Sequence, residues 1–146
     1  GLLGCDHNYL RSLETIFRIS FPNIILSTVD SCMKRYLECG NGMNYTNLFA
    51  TIDFGPLADT KSCLNILKEY QANYPMMNSE YYTGWFTVYN TSHYIQNLTL
   101  FEMKFSELYK SDFSFNLYMF MGGTNFGFTG GTYISRGKII TSYDYD

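Results

Sequence analysis

Helical and extended patterns alternate four times along this chain, beginning with a helix, and that alternation limits the fold more than any other feature. Parallel strands joined by crossover helices bury both kinds of element, so the expected class is α/β. Asp6 is placed to cap the first helix, where Tyr9, Leu10, Leu13, Ile16 and Phe17 recur at helical spacing. Pro22 and Asn23 break that helix, and 24–29 reads as a buried strand. A short helix over 31–37 leads to the turn-rich Cys39-Gly40-Asn41-Gly42. A second strand, 48–52, ends at Asp53-Phe54-Gly55-Pro56, and Asp59 or Thr60 then caps a helix striped with Cys63, Leu64, Leu67 and Tyr70. The third strand starts from the apolar Pro75-Met76-Met77 and ends at Glu80. Tyr94, Leu98, Phe101, Phe105 and Leu108 step by four and three residues, which marks one helix face and reads as core packing. Over 113–120 the pattern alternates: Phe113, Phe115, Leu117 and Met119 are expected beneath helices, with Ser114, Asn116, Tyr118 and Phe120 on the other face. Residues 122–146 have Gly-rich turns and little periodicity, and read as an ordered loop.

Composition narrows the function classes. An apolar content of 46% supports a packed core, and a net charge of -3 gives no reason to expect nucleic acid as a partner. No apolar run approaches the roughly 18 residues of a membrane span. Aromatics reach 18%, which suits contact with carbohydrate and equally an aromatic core. Asn44, Asn90 and Asn97 each begin an N-glycosylation triplet, and four cysteines are compatible with disulfides. Gly122-Gly123-Thr124-Asn125-Phe126-Gly127 lacks both the Lys-Ser/Thr ending of a P-loop and the spacing of a dinucleotide site, so a tight turn is the better reading. Cys5-Asp6-His7 has no second cluster at metal-ligand spacing, and neither a metal nor a cofactor is expected.

One stretch carries chemistry. In Asn78-Ser79-Glu80-Tyr81-Tyr82-Thr83-Gly84-Trp85, a single carboxylate follows a buried strand and is succeeded at once by three aromatic rings. An arbitrary glutamate at a strand end merely faces water. A sugar site, by contrast, needs a carboxylate for the chemistry and flat rings to stack on the pyranose. Together with Asn116-Leu117-Tyr118-Met119-Phe120-Met121-Gly122-Gly123-Thr124-Asn125-Phe126-Gly127 and Thr141-Ser142-Tyr143-Asp144-Tyr145-Asp146, this stretch closely resembles the β-galactosidases of glycoside hydrolase family 35.

The resemblance runs over nearly the whole chain and implies a TIM (β/α)8 barrel. Such a barrel takes about 250 residues, so residues 1–146 are expected to be a single partial domain, strands 5 to 8 of the catalytic barrel. The chain lacks an initiator Met and stops at Asp146, and is expected to be a fragment. Expressed alone, with 24–29 and 115–120 as open edges, it is expected to be poorly soluble. By resemblance Glu80 matches the nucleophile of a retaining mechanism that removes terminal β-galactose. Tyr118 and Tyr145 match positions that touch the galactose, and Trp85 an aromatic of the pocket wall; Asp144 takes a supporting part. Cys5 and Cys39 match a disulfide pair, whereas Cys32 and Cys63 are either free and buried or paired with each other. The acid/base belongs, by resemblance, to an Asn-Glu pair upstream of Gly1, and Gly1-Leu2-Leu3-Gly4 holds no carboxylate. Asp30 and Asp53 also end strands, but the resemblance gives neither that role. The chain alone is therefore expected to hydrolyse β-galactosides poorly. After Trp85, Phe86-Thr87-Val88-Tyr89-Asn90 departs from the family's acidic residue and Trp-Gly pair. The implied compartment is secretory, lysosomal or extracellular. Two rival classes are a non-catalytic galactoside-binding protein and a doubly wound domain binding a phosphate-bearing ligand.

Overall fold

The computed structural model describes residues 4–40, 47–73, 75–126, 129–133 and 137–143, the side chains of 141 and 142 excepted. Its centre is a parallel sheet of four strands in the order β1 (Ser27–Ser31), β2 (Phe49–Phe54), β3 (Met77–Tyr82) and, beyond the short β4 (Phe86–Val88), β5 (Ser114–Tyr118). Four helices precede these strands in turn: α1 (His7–Ser20), α2 (Lys34–Gly40), α3 (Thr60–Gln71) and α4 (Leu98–Lys110). The protein is thus α/β, with the alternation expected from its pattern. Strands β1 and β5 lie at the two edges of the sheet.

Capping fixes where the helices start. The Asp6 carboxylate accepts from the backbone N–H groups of Asn8 and Tyr9, Asp59 does the same for Lys61, and Asn97 for Leu100. Helix α4 accordingly begins after Tyr94, which stays outside it, and Leu98 is exposed. The core-facing stripe is Phe101, Phe105 and Leu108, so the four-three spacing overran the element by one turn. Helix α2 forms three residues later than expected, at Lys34 instead of residue 31, because β1 continues to Ser31.

The strands also differ at their ends. Ile24 and Ile25 are apolar yet exposed and outside the ladder, whose register opens at Ser27↔Phe49. Apolar runs signal burial, whereas a strand exists only where a neighbouring backbone pairs with it. Strand β3 likewise runs on past Glu80 to Tyr82, because Tyr81 and Tyr82 pair with Leu117 and Tyr118 of β5. Phe113 and Phe115 meet the core as expected from the alternation, but Leu117 remains 41% exposed on the edge strand.

Residues 122–146 are more than a loop. β6 (Gly123–Thr124), β7 (Thr132–Tyr133) and β8 (Gly137–Ser142) form within it. β8 pairs antiparallel with β4, β6 and β7. β6 and β7 have two residues each, too few to show a period of two, and the six residues of β8 pair with β4 and β6 well upstream, so local pattern does not disclose them.

The core packs one face of the parallel sheet against α2, α3 and α4: Leu37, Ala50, Ile52, Phe54, Cys63, Leu67, Met76, Tyr81, Leu108 and Phe113. The side-chain amide of Gln71, at the end of α3, binds both backbone groups of Ala50, accepting from its N–H at 2.9 Å and donating to its C=O at 2.6 Å. A helix end is thereby clamped to a buried strand by one side chain. Disulfides Cys5–Cys39 and Cys32–Cys63 tie the start of α1 to α2 and the entry of α2 to α3. The second resolves the open alternative for Cys32 and Cys63. Among the described residues no helix is long and apolar enough to cross a membrane.

Candidate active site

The face of the sheet turned away from the helices is polar where it nears the C-terminal ends of the strands, the end at which parallel α/β sheets place their chemistry. Asp53 of β2 lies opposite Glu80 of β3 in register. A shift in the ladder brings them together: Ile52 pairs with Asn78 and Asp53 with Glu80, so Ser79 is passed over. Strict alternation would have put Glu80 on the side of Asn78, which is fully buried toward the helices. The extra residue turns Glu80 to the open face and sends Tyr81 into the core, reversing both, the re-aiming that bulges perform beside active sites. The Ser79 hydroxyl meets that of Thr51 at 2.6 Å, and the Asn116 amide donates to the Ser79 carbonyl at 3.1 Å, pinning the bulge from both sides.

Aromatic rings close round Glu80. Tyr82 donates a hydrogen bond to Asp53 and lies 3.3 Å from Glu80 Oε2. Its ring meets Trp85 edge-on at 5.4 Å and Tyr118 at 6.3 Å, and Tyr118 in turn meets Tyr143 at 5.7 Å. The Tyr143 N–H donates to the Trp85 carbonyl at 2.8 Å, so the small antiparallel sheet delivers Tyr143 to this mouth. Thr83 locks the connection by donating from its backbone N–H to the Tyr118 carbonyl and from its hydroxyl to the Met119 carbonyl.

Burial pushes the Tyr82 phenol far above its ordinary value, and hydrogen bonding to Asp53, the Asp53 charge and Glu80 push it the same way. Tyr143 is raised by burial first, then by Tyr118 and by the Glu80 charge. Both phenols therefore remain protonated, and Tyr82 is seen to donate. The mouth can hold a carboxylate in place, offer phenolic O–H groups to hydroxyls and present ring faces to an apolar surface. Beside it a cleft of about 520 Å³ runs between Pro56, Leu57, Tyr82, Trp85 and Tyr94. A larger hollow of about 830 Å³ opens at the other end of the strands, bordered by Ser27, Phe49, Met77 and Ser114, away from the carboxylates.

Of the residues singled out in the sequence, the structure brings Glu80, Trp85 and Tyr118 into one cluster. Tyr145, Asp144 and Asn44 lie outside the described residues. Asn90 is exposed on a turn, with a φ of 62°, and Asn97 is exposed at the start of α4. Asp30 is not at the mouth. Its buried carboxyl faces Gly40 of α2, where an added Cβ would clash with it, and burial raises its pKa.

A profile of glycosyl hydrolases family 35 matches residues 1–146. The chain belongs to that family. It is 38% identical over 98% of its length to the mouse beta-galactosidase-1-like protein, and 34% identical over 97% to the canine beta-galactosidase. It is also 33% identical over 98% of its length to the human beta-galactosidase. The chain spans about a fifth of the length of these relatives, 21% or 22% of each.

Two features of this cluster have little or no local signal in the sequence of this family-35 chain. Tyr143 stands within the motif Thr141-Ser142-Tyr143-Asp144-Tyr145-Asp146, but nothing local says that it, like Tyr118, reaches the mouth. The bond between Tyr82 and Asp53 joins residues 29 positions apart and depends on the bulge at Ser79. A Tyr two residues beyond a strand carboxylate was its only visible signal.

Proposed function

We propose that this chain supplies strands 5 to 8 of a TIM (β/α)8 barrel in a retaining β-galactosidase, with Glu80 as its nucleophile. The observation that carries the reading is Glu80 turned by a bulge onto the open face of a parallel sheet, at its C-terminal end, among Tyr82, Trp85 and Tyr118. Membership of family 35 and relatives named beta-galactosidase supply the substrate class, a β-galactoside. The two sheet edges, β1 and β5, are where the remaining strands of the barrel would add.

In such a mechanism a Glu80 oxygen bonds to the anomeric carbon of galactose while the bond to the leaving oxygen breaks. A second carboxylic acid, about 5 Å away, protonates the departing oxygen. Water, deprotonated by that same group, then displaces Glu80 and restores the anomeric configuration. Trp85 and Tyr118 line the galactose pocket, and Tyr145 joins them as a substrate contact. The acid/base is assigned to a glutamate outside this chain, since Asp30 faces the helices and Asp53 is bound to Tyr82. Without it the chain is expected to be a poor catalyst, slower by roughly 10²–10⁴-fold. The two disulfides fit an oxidising compartment, and a secretory or lysosomal location is proposed with them.

Proton NMR of the full-length protein acting on an aryl β-galactoside tests the reading. The first galactose released is expected to be the β-anomer, mutarotating later. Initial release of the α-anomer would mean inversion and would remove the nucleophile role from Glu80.

A further inference from the structure

The Tyr82 hydroxyl stands between two carboxylates with one proton to give. It is hydrogen-bonded to Asp53 Oδ2 and lies 3.3 Å from Glu80 Oε2. Its ring has little freedom, because Trp85 and Tyr118 flank it and its backbone pairs with Tyr118. Rotation of the hydroxyl about its own C–O bond is the motion left to it.

We propose that Tyr82 is a two-position donor, serving Asp53 while Glu80 attacks and Glu80 while Glu80 departs. The inference rests on Glu80 being the nucleophile and goes beyond it by assigning Asp53 and Tyr82 as positioning residues. A carboxylate that accepts a strong hydrogen bond is a weaker nucleophile but a better leaving group. The two halves of a double displacement therefore ask opposite things of one residue. In the resting arrangement the phenolic proton is committed to Asp53, so Glu80 keeps its charge for attack. Glu80 then forms its bond to the anomeric carbon as the leaving oxygen takes away the electron pair and receives a proton from the acid outside this chain. In the second half, water bonds to the anomeric carbon and the electron pair of the Glu80–carbon bond returns to Glu80. Negative charge reappears 3.3 Å from Tyr82, and the hydroxyl turns from Asp53 to meet it. Asp53 holds the proton away from Glu80 in one half and releases it in the other.

The test uses the full-length protein and 2-deoxy-2-fluoro-β-galactosyl fluoride, measuring the rate of covalent trapping and the rate of reactivation separately. Tyr82→Phe is expected to slow reactivation about tenfold or more, the worth of one hydrogen bond to a charged group, with trapping much less affected. Asp53→Asn, a weaker acceptor, frees the proton for Glu80; trapping is expected to slow about tenfold while reactivation holds or quickens. Opposed effects of the two variants support the switch. Equal slowing of both steps by both variants, or no change in either, overturns it and leaves Tyr82 a structural residue. Labelling of the wild type at a residue other than Glu80 overturns the nucleophile assignment instead. Thermal melting checks that each variant folds. Tyr82→Phe keeps the ring, so its split between the two steps decides the question even where Asp53→Asn does not fold.

Discussion

Replacing Glu80 by Gln in the full-length protein is expected to lower kcat on an aryl β-galactoside by about 10⁴-fold or more, with the thermal midpoint nearly unchanged. The amide keeps the size of the carboxyl and can still accept from Tyr82. It cannot form the covalent ester with the anomeric carbon, so the double displacement has no first step. Glu80 is half-buried on the open face of the sheet, outside the hydrophobic core, which is why folding is expected to tolerate the change. The variant is measured by steady-state kinetics beside a melting curve. A loss of tenfold or less with intact folding would show that galactoside turnover does not run through Glu80.

The neighbouring residue is expected to behave in the opposite way. Tyr81 is 1% exposed, and its ring meets those of Phe54, Phe101 and Phe105 at 5.9, 5.7 and 5.7 Å. Tyr81→Ala removes the ring on which β2 and α4 converge, and is expected to cost about 3–5 kcal/mol of stability. The phenolic oxygen is another matter. It is buried without a hydrogen-bond partner among the described residues, and burial raises its pKa to about 12. Tyr81→Phe removes that uncompensated polar atom and keeps the ring, so a gain of about 1 kcal/mol is expected. Chemical denaturation of the full-length protein measures both. A Phe variant as unstable as the Ala variant would mean that the hydroxyl, and not the ring, holds this part of the core.

These two adjacent residues also show how far the sequence could be read. Apolar periodicity located the helices and the order of the strands, because burial of Leu67, Phe101 and Leu108 is a local property of their helix faces. It misplaced the edges of elements, as at Ile24 and Ile25, because pairing is decided by the neighbouring chain. Glu80 was legible as a site residue from its aromatic company. The face it takes was not, since counting by two from Asn78 sends it toward the helices; the skipped register at Ser79 reverses that. The same bulge brings Asp53, Tyr82 and Glu80 together, so their shared hydrogen bonding had no local signature. The antiparallel strands β6, β7 and β8 had little either, β6 and β7 being two residues long and β8 pairing with β4 and β6 well upstream. Tyr143 reaches the mouth only through them.

Peptide mass spectrometry of the full-length protein after reaction with 2-deoxy-2-fluoro-β-galactosyl fluoride tests the central claim most directly. The account predicts one added fluorogalactosyl group, on the peptide that contains Met77–Tyr82 and on Glu80 within it. Inactivation with the label on another carboxylate, or sugar binding with no covalent label at all, would contradict it.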